Sequence, residues 1–173
     1  MAEIAIRPAR GSDAQAIAAI YASHVANGTA TFDTVAPEAE AWAARNADFA
    51  ARSVPFLVTE RGGVVRAYAY AARFRERAAC AHTCEDGIYV AHDARGGGIG
   101  TALLTALITA ARESGFRRMI AVIGGGEPAS VALHGKCGFV HAGRMRHVRR
   151  KFGRMLDTVY MRCDPTGEGW GDD

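Results

Sequence analysis

The sequence predicts one α+β domain, with a mixed sheet and helices on both faces. Three observations lead there. A chain of 173 residues with 49% apolar positions can bury one core and is short for two. Segments of period two and period 3.6 follow in the order strand, two helices, three strands, helix, strand, helix, two strands. Past mid-chain, the run from Glu85 to Thr101 passes from a β-branched strand through a bare glycine loop into an amphipathic helix.

Ile4 and Ile6 alternate as a first strand, ended by Pro8. Ser12 with Gln15 three residues on reads as a capping box for a helix carrying Ile17, Ile20, Tyr21 and His24, which stops near Asn27-Gly28. The loop Thr29-Ala30-Thr31-Phe32-Asp33 holds one large aromatic, and Pro37 opens a second helix through Trp42 and Phe49. Phe56-Leu57-Val58 and Val64 to Phe74 are strands joined at Arg61-Gly62-Gly63, and Thr83 to Val90 is the next strand. From Gly98 a helix places Ile99, Leu103, Leu104, Leu107, Ile108 and Ala111 on one face and closes at Gly115. Met119 to Ile123 is a strand and Ser130 to Cys137 a short helix. Phe139 to Met145 and Leu156 to Met161 form a last hairpin. The domain is expected to span 1–163, with 164–173 a flexible tail.

Composition excludes several classes. A net charge of +3 is too small to imply nucleic acid, and the basic cluster from Arg144 to Arg154 has only Phe152 as an interleaved aromatic. It reads as a solvated hairpin or a rim that attracts anionic acceptors. No apolar run approaches the roughly 20 residues of a membrane span. The N-terminus begins a strand and lacks a signal-peptide layout, and four cysteines form no disulfide scaffold, so a cytoplasmic location is expected. Cys80, His82 and Cys84 alternate on one segment, about 6.6 Å apart if extended, too wide for ligands about 2.0–2.3 Å from one zinc ion. No metal is expected.

Arg95-Gly96-Gly97-Gly98-Ile99-Gly100 strips nearly every side chain from a helix start. Main-chain N–H groups there lack partners within the helix and converge with the positive end of its dipole, which makes an anion site, most simply for phosphate. A dinucleotide loop follows the first strand of a βαβ unit, with an acidic residue about twenty positions later. Here residues 118–122 are Arg-Met-Ile-Ala-Val. A P-loop places lysine after its glycines, and Ile99-Gly100-Thr101 has none. What remains is Arg-x-x-Gly-x-Gly, directly after Ile88-Tyr89-Val90.

That pattern resembles the acetyl-CoA diphosphate loop of the GNAT N-acetyltransferases, and the element order resembles their fold. Further segments are similar to the phosphinothricin and methionine sulfoximine N-acetyltransferase branch: Tyr21-Ala22 with Thr29-Ala30-Thr31-Phe32, Ala67-Tyr68-Ala69-Tyr70 with Phe74-Arg75-Glu76-Arg77, and Thr83-Cys84-Glu85 before Ile88-Tyr89-Val90. Ser130 to His134 with Gly138-Phe139, and Lys151-Phe-Gly-Arg-Met-Leu-Asp157, complete the resemblance, which runs from Ile4 to about Met161. It implies a GNAT-like acyl-CoA N-acyltransferase fold with a central, mostly antiparallel sheet, acetyl-CoA as cosubstrate, a small amino-acid-like amine as acceptor and a homodimer. Two positions depart from the pattern. Glu127 stands where the superfamily usually has an asparagine, and a carboxylate cannot donate the amide hydrogen bond to CoA. Phe74 replaces the branch's tryptophan and loses its indole donor.

The resemblance assigns Ile88, Tyr89, Val90, Arg95, Gly96, Gly97, Gly98, Ile99, Gly100, Thr101, Glu127 and Ser130 to the cofactor, with main-chain N–H groups around Tyr89 and Val90 polarising the acetyl carbonyl. Acetyl transfer needs a neutral amine, so a base must take a proton from the ammonium form. Glu85, at the start of the cofactor strand, is that base or else an exposed ion-pair partner. His134 is an acid, a base or a packed helical histidine. Arg75 and Arg77 alternate with Phe74 and Glu76, so both project from one face of an extended segment, where guanidinium forks suit carboxylate or phosphinate oxygens. With Phe32 and Phe74 they form the expected acceptor pocket. Acetylation of a protein N-terminus or polyamine, and a non-catalytic CoA-binding sensor, are the alternative functions.

Overall fold

The computed structural model describes residues 4–168. Seven strands, β1 (Ile4–Pro8), β2 (Phe56–Arg61), β3 (Val64–Arg73), β4 (Thr83–Val90), β5 (Arg118–Gly124), β6 (Val140–Lys151) and β7 (Arg154–Cys163), form one sheet in the order β1-β2-β3-β4-β5-β7-β6. Helices α1 (Ala14–Asn27) and α2 (Ala39–Ala51) cover one face, and α3 (Ile99–Glu113) and α4 (Pro128–Lys136) the other. Every strand pairing is antiparallel except β4 with β5.

Strand β3 shows how alternation builds the two cores. Ala67, Ala69 and Ala71 turn to α3 and leave room for Leu103, Leu104 and Leu107 against the sheet. Tyr68 turns the other way, into an aromatic layer with Trp42, Phe56 and Tyr89. Leu103, Leu104 and Leu107 are fully buried, so the periodicity read for α3 is the contact face.

Three local expectations change. The start of α1 is held by Asp13 and not by a Ser12–Gln15 box. Asp13 lies at the end of a 3-10 turn, accepts the Arg10 N–H at 2.7 Å and takes two bonds from the Arg7 guanidinium at 2.8 and 2.9 Å. Arg7 also pairs with Glu60. The last hairpin is longer than its apolar residues indicate, because β6 is an exposed edge whose arginines carry no apolar period. Phe152 (φ +50°) and Gly153 (φ +70°) close it as a two-residue turn. Finally, β3 stops at Arg73, and Phe74–Arg77 is a bent segment leading into the 3-10 turn Ala78–Cys80. Of the expected tail, 164–168 is a turn in which Thr166 donates through its N–H (2.8 Å) and hydroxyl (2.6 Å) to Asp164. Residues 169–173 lie outside the described residues.

Candidate active site

The site begins where two strands part. β4 and β5 pair in parallel from Thr83↔Arg118 to Asp86↔Ala121 and no further. Beyond Asp86 the strands diverge, and Asp86, Gly87, Ile88, Tyr89, Ala121, Val122 and Ile123 line the opening, with Ala30, Ser130 and His134 at its margins. Phe74 N–H bonds Thr83 C=O, and Ala91 N–H bonds Arg66 C=O. The two-residue period therefore turns the main-chain groups of 83, 85, 87, 89 and 91 to β3, and those of Ile88 and Val90 into the split. The Tyr89 amide, expected at the thioester, belongs to the β3 ladder. The Val90 carbonyl is taken by His24 Nε2–H at 3.0 Å, which leaves the Val90 N–H facing the opening.

Directly after this strand comes the glycine loop. Gly96 (φ +79°) and Gly98 (φ +78°) adopt the left-handed conformation that side chains disfavour. Gly98 is the N-cap of α3 and no side chain caps the helix. The first intrahelical bond runs from Ala102 N–H to Gly98 C=O, so the N–H groups of Ile99, Gly100 and Thr101 have no partner within the helix. A Cβ on Gly100 would lie 3.3 Å from Leu133 of α4, and one on Gly97 would lie 3.2 Å from the Arg61 guanidinium. Arg61, which sequence reasoning placed only in a turn, thus backs the loop with positive charge. Arg95 is exposed at the loop's entrance, Glu127 is the N-cap residue of α4, and Ser130 lies in its first turn.

The two faces of β4 carry different chemistry. Glu85 and Tyr89 face α1 and α2, where the Tyr70 ring covers Gly87 so closely that a Cβ there would stand 2.5 Å from it. Burial pushes the Glu85 carboxyl up, the charge of Asp86 adds to this, and Arg75 opposes it. Asp86, Ile88 and Val90 face α3 and α4. There His134 is buried, with Nε2 3.0 Å from Asp86 Oδ2 and Nδ1 2.7 Å from the Ser130 carbonyl. Burial alone would lower the His134 pKa, but the Asp86 hydrogen bond and charge, with the Ser130 carbonyl, outweigh it and raise the value. Glu85 and His134 therefore flank the split from opposite sides of the sheet. Asp86 was missed, although adjacent carboxylates on a strand must point to opposite faces.

The 29–33 loop crosses the β5 side of the split. Cβ atoms on Gly124 would meet the Thr29 carbonyl at 2.5 Å and the Phe32 ring at 3.2 Å, so only glycine admits the loop so near. Tyr21 fastens it: its hydroxyl lies 2.6 Å from Thr31 Oγ1 and donates to Asp33 at 2.6 Å. Buried Lys151, from the hairpin tip, donates to the Thr31 carbonyl at 2.9 Å, and Arg149 sits 5.0 Å from the Phe32 ring centre. Phe32 is thus placed at the split. On the other side, Arg75 lies 4.1 Å over the Phe74 ring and donates to its carbonyl at 2.8 Å, while Arg77 is exposed at the start of the 3-10 turn. The single extended face expected for Arg75 and Arg77 is not formed, because the chain bends after Arg73.

A bare helix start beside an opening with free main-chain donors fits a ligand that combines a diphosphate with an amide-bearing arm. The comparisons with known proteins agree with this geometry. Residues 17–139 match the acetyltransferase (GNAT) family. The chain is 45% identical over 158 residues to a phosphinothricin N-acetyltransferase of Alcaligenes faecalis, covering 91% of this chain and 80% of the relative. It is 40% identical over 167 residues to an L-methionine sulfoximine/L-methionine sulfone acetyltransferase of Pseudomonas paraeruginosa, covering 93% and 95%. Among solved structures it resembles a GNAT superfamily phosphinothricin acetyltransferase of Sinorhizobium meliloti in complex with acetyl-CoA, with a TM-score of 0.91, 41% identity and coverage of 93% and 88%. The strand split, the bare helix start and these likenesses agree on one assignment: this chain belongs to the GNAT acetyltransferases.

Proposed function

We propose that the protein moves the acetyl group of acetyl-CoA to the amine of a small amino-acid-like acceptor of the phosphinothricin or methionine sulfoximine type. The supporting observation is the juxtaposition of three features: the bare N-terminus of α3, the open donors of Ile88 and Val90, and Glu85 on the adjoining strand face. Bound acetyl-CoA supplies an activated acyl group whose thiol leaves on transfer. Residues 95–101 hold its diphosphate, Ile88 and Val90 pair with its arm, and Glu127 and Ser130 border it from α4. Glu85 takes the proton of the ammonium, a task suited to a carboxyl raised by burial. Phe32, Phe74, Arg75 and Arg77 form the acceptor side, and His134 serves in proton transfer across the sheet.

Transfer is direct, since none of the four cysteines, all free thiols, is among these residues. A panel containing phosphinothricin, methionine sulfoximine, ordinary amino acids, a peptide N-terminus and a polyamine, scored by CoA thiol release, tests the reading. The first two should lead the panel. Turnover confined to the peptide or the polyamine would overturn the acceptor class, and saturable CoA binding without turnover of any amine would favour a sensor.

The reading extends to a cytoplasmic homodimer. Supporting this, the edge strand β6 exposes Val140, Met145 and Val148, and β7 exposes Met155, an apolar edge on which a second copy could pair. Light scattering that gives a monomer mass at assay concentration would remove the dimer.

A further inference from the structure

We propose that Asp86 is a positioning residue that keeps His134 doubly protonated, so that the histidine gives a proton to the departing sulfur and leaves amine deprotonation to Glu85. The inference rests on the N-acetyltransferase reading and adds to it a division of labour between the two faces of β4.

Proton counting carries the argument. Each ring nitrogen of His134 faces an oxygen: Nδ1 the Ser130 carbonyl at 2.7 Å, which can only accept, and Nε2 the Asp86 carboxyl at 3.0 Å, which only accepts when ionised, the state this proposal assigns to it. A neutral imidazole has one N–H, so one of these contacts would set lone pair against lone pair. With both N–H groups present, both are hydrogen bonds. The Ser130 hydroxyl, at 3.4 Å from Nδ1, is the more distant partner. The Phe139 ring, edge-on at 4.8 Å, holds the imidazole plane.

Burial makes the pairing compulsory. The side chains of His134 and Asp86 are 3% and 2% exposed, and a carboxylate so enclosed is costly without a cation beside it. Asp86 Oδ1 is buried without a hydrogen-bond partner among the described residues, so Oδ2 and its contact to His134 carry the compensation. Among the described residues, the titratable groups that share the face of Asp86 and feel its charge are the thiols of Cys84, Cys137 and Cys163, and across the sheet Glu85 and Tyr70 feel it too; none of them carries positive charge. Burial pushes all three thiols up, and the charge of Asp86 does so further, so they stay neutral. On its own helix, the His134 side chain meets Ser130 alone among polar partners of the described residues.

A base needs a free lone pair, and His134 has none in this arrangement. It can act as a donor. The amine nitrogen bonds to the acetyl carbon while the C–S bond breaks and its electron pair passes to sulfur. As charge builds on sulfur, the Nε2–H passes from its bond with Asp86 to that sulfur; Glu85, having returned the first ammonium proton to solvent, takes the second from the attacking nitrogen, and solvent restores both groups.

The test uses the full chain, nitrogen-15 NMR of the histidine rings without substrate, and the variants Asp86→Asn and His134→Gln. His134→Gln identifies the signal. In Asp86→Asn the new side-chain amide can donate an N–H to Nε2, so this variant keeps the packing and fits a ring carrying only the Nδ1 proton. We expect wild-type His134 to carry two protons at neutral pH and the ring in Asp86→Asn to carry one. The ratio of variant to wild-type kcat should fall by about tenfold as pH rises through the titration of the variant's ring in the same spectra, because a donor is lost as that ring deprotonates. A purely packing role for Asp86 would lower kcat equally at every pH. A singly protonated wild-type ring at neutral pH overturns the proposal whether or not the variant folds, and so does a pH-independent kcat ratio. Failure of the N-acetyltransferase reading appears in the assay, whereas failure of the pairing appears in the spectrum.

Discussion

Glu85 and Asp86 are neighbours in sequence, yet strand alternation sends them to opposite faces of β4 and into different ionisation environments. Glu85 enters the aromatic face beside Tyr70, where burial raises its carboxyl, the charge of Asp86 adds to the rise and that of Arg75 opposes it. Asp86 enters the α4 face and meets a buried histidine 3.0 Å away. The lesson is that a carboxylate's partner, more than its depth, sets its chemistry. The partnered one is fixed by its histidine, and Glu85, which has no hydrogen-bond partner among the described residues, stays available to exchange a proton.

The most severe break of this contrast is Glu85→Gln, which removes the exchangeable proton and keeps the shape. Turnover at neutral pH should fall by about 10²-fold or more, with CoA affinity unchanged. Parent-level turnover would remove Glu85 from the mechanism. The raised carboxyl also fixes a sign: activity should climb with pH as Glu85 ionises, with that limb displaced upward from the ordinary glutamate range. The Gln variant should lose the limb.

A milder break lies in the loop both faces serve. Gly98→Ala places a side chain at φ +78°, a conformation that costs about 1–2 kcal/mol outside glycine. The loop should relax away from this geometry, and re-forming the cradle should weaken CoA binding by about tenfold. Isothermal titration checks it, and unaltered affinity would mean the α3 start is not where the diphosphate sits. The smallest effect is expected from Arg75→Ala. Its guanidinium is exposed and stacked on Phe74, so loss of an acceptor contact should raise the acceptor KM by about fivefold with little change in kcat. An unchanged KM would place Arg75 outside the pocket.

Much of this was legible in the chain because local chemistry dictated it. Gly96 and Gly98 are glycines at positive φ, and the α3 leucines fall on one stripe. The Ala67–Ala71 alternation separates two cores. What escaped were arrangements that depend on distant partners or on missing periodicity. His134 lies 48 residues from Asp86, and no local signal joins them. The basic edge strand β6 faces solvent on both sides, so its arginines looked like a cluster rather than a strand. The bend after Arg73 broke an alternation argument that needed extended chain, and Asp13 rather than Ser12 holds α1 because Arg7 reaches it from β1.

The most direct measurement is a structure of the protein with acetyl-CoA bound. The account predicts the diphosphate against the N–H groups of residues 96–101, the arm bonded to the Ile88 and Val90 amides, and the Tyr89 amide still paired to β3. A thioester resting on the Tyr89 amide, or a cofactor seated away from the β4–β5 split, would contradict it.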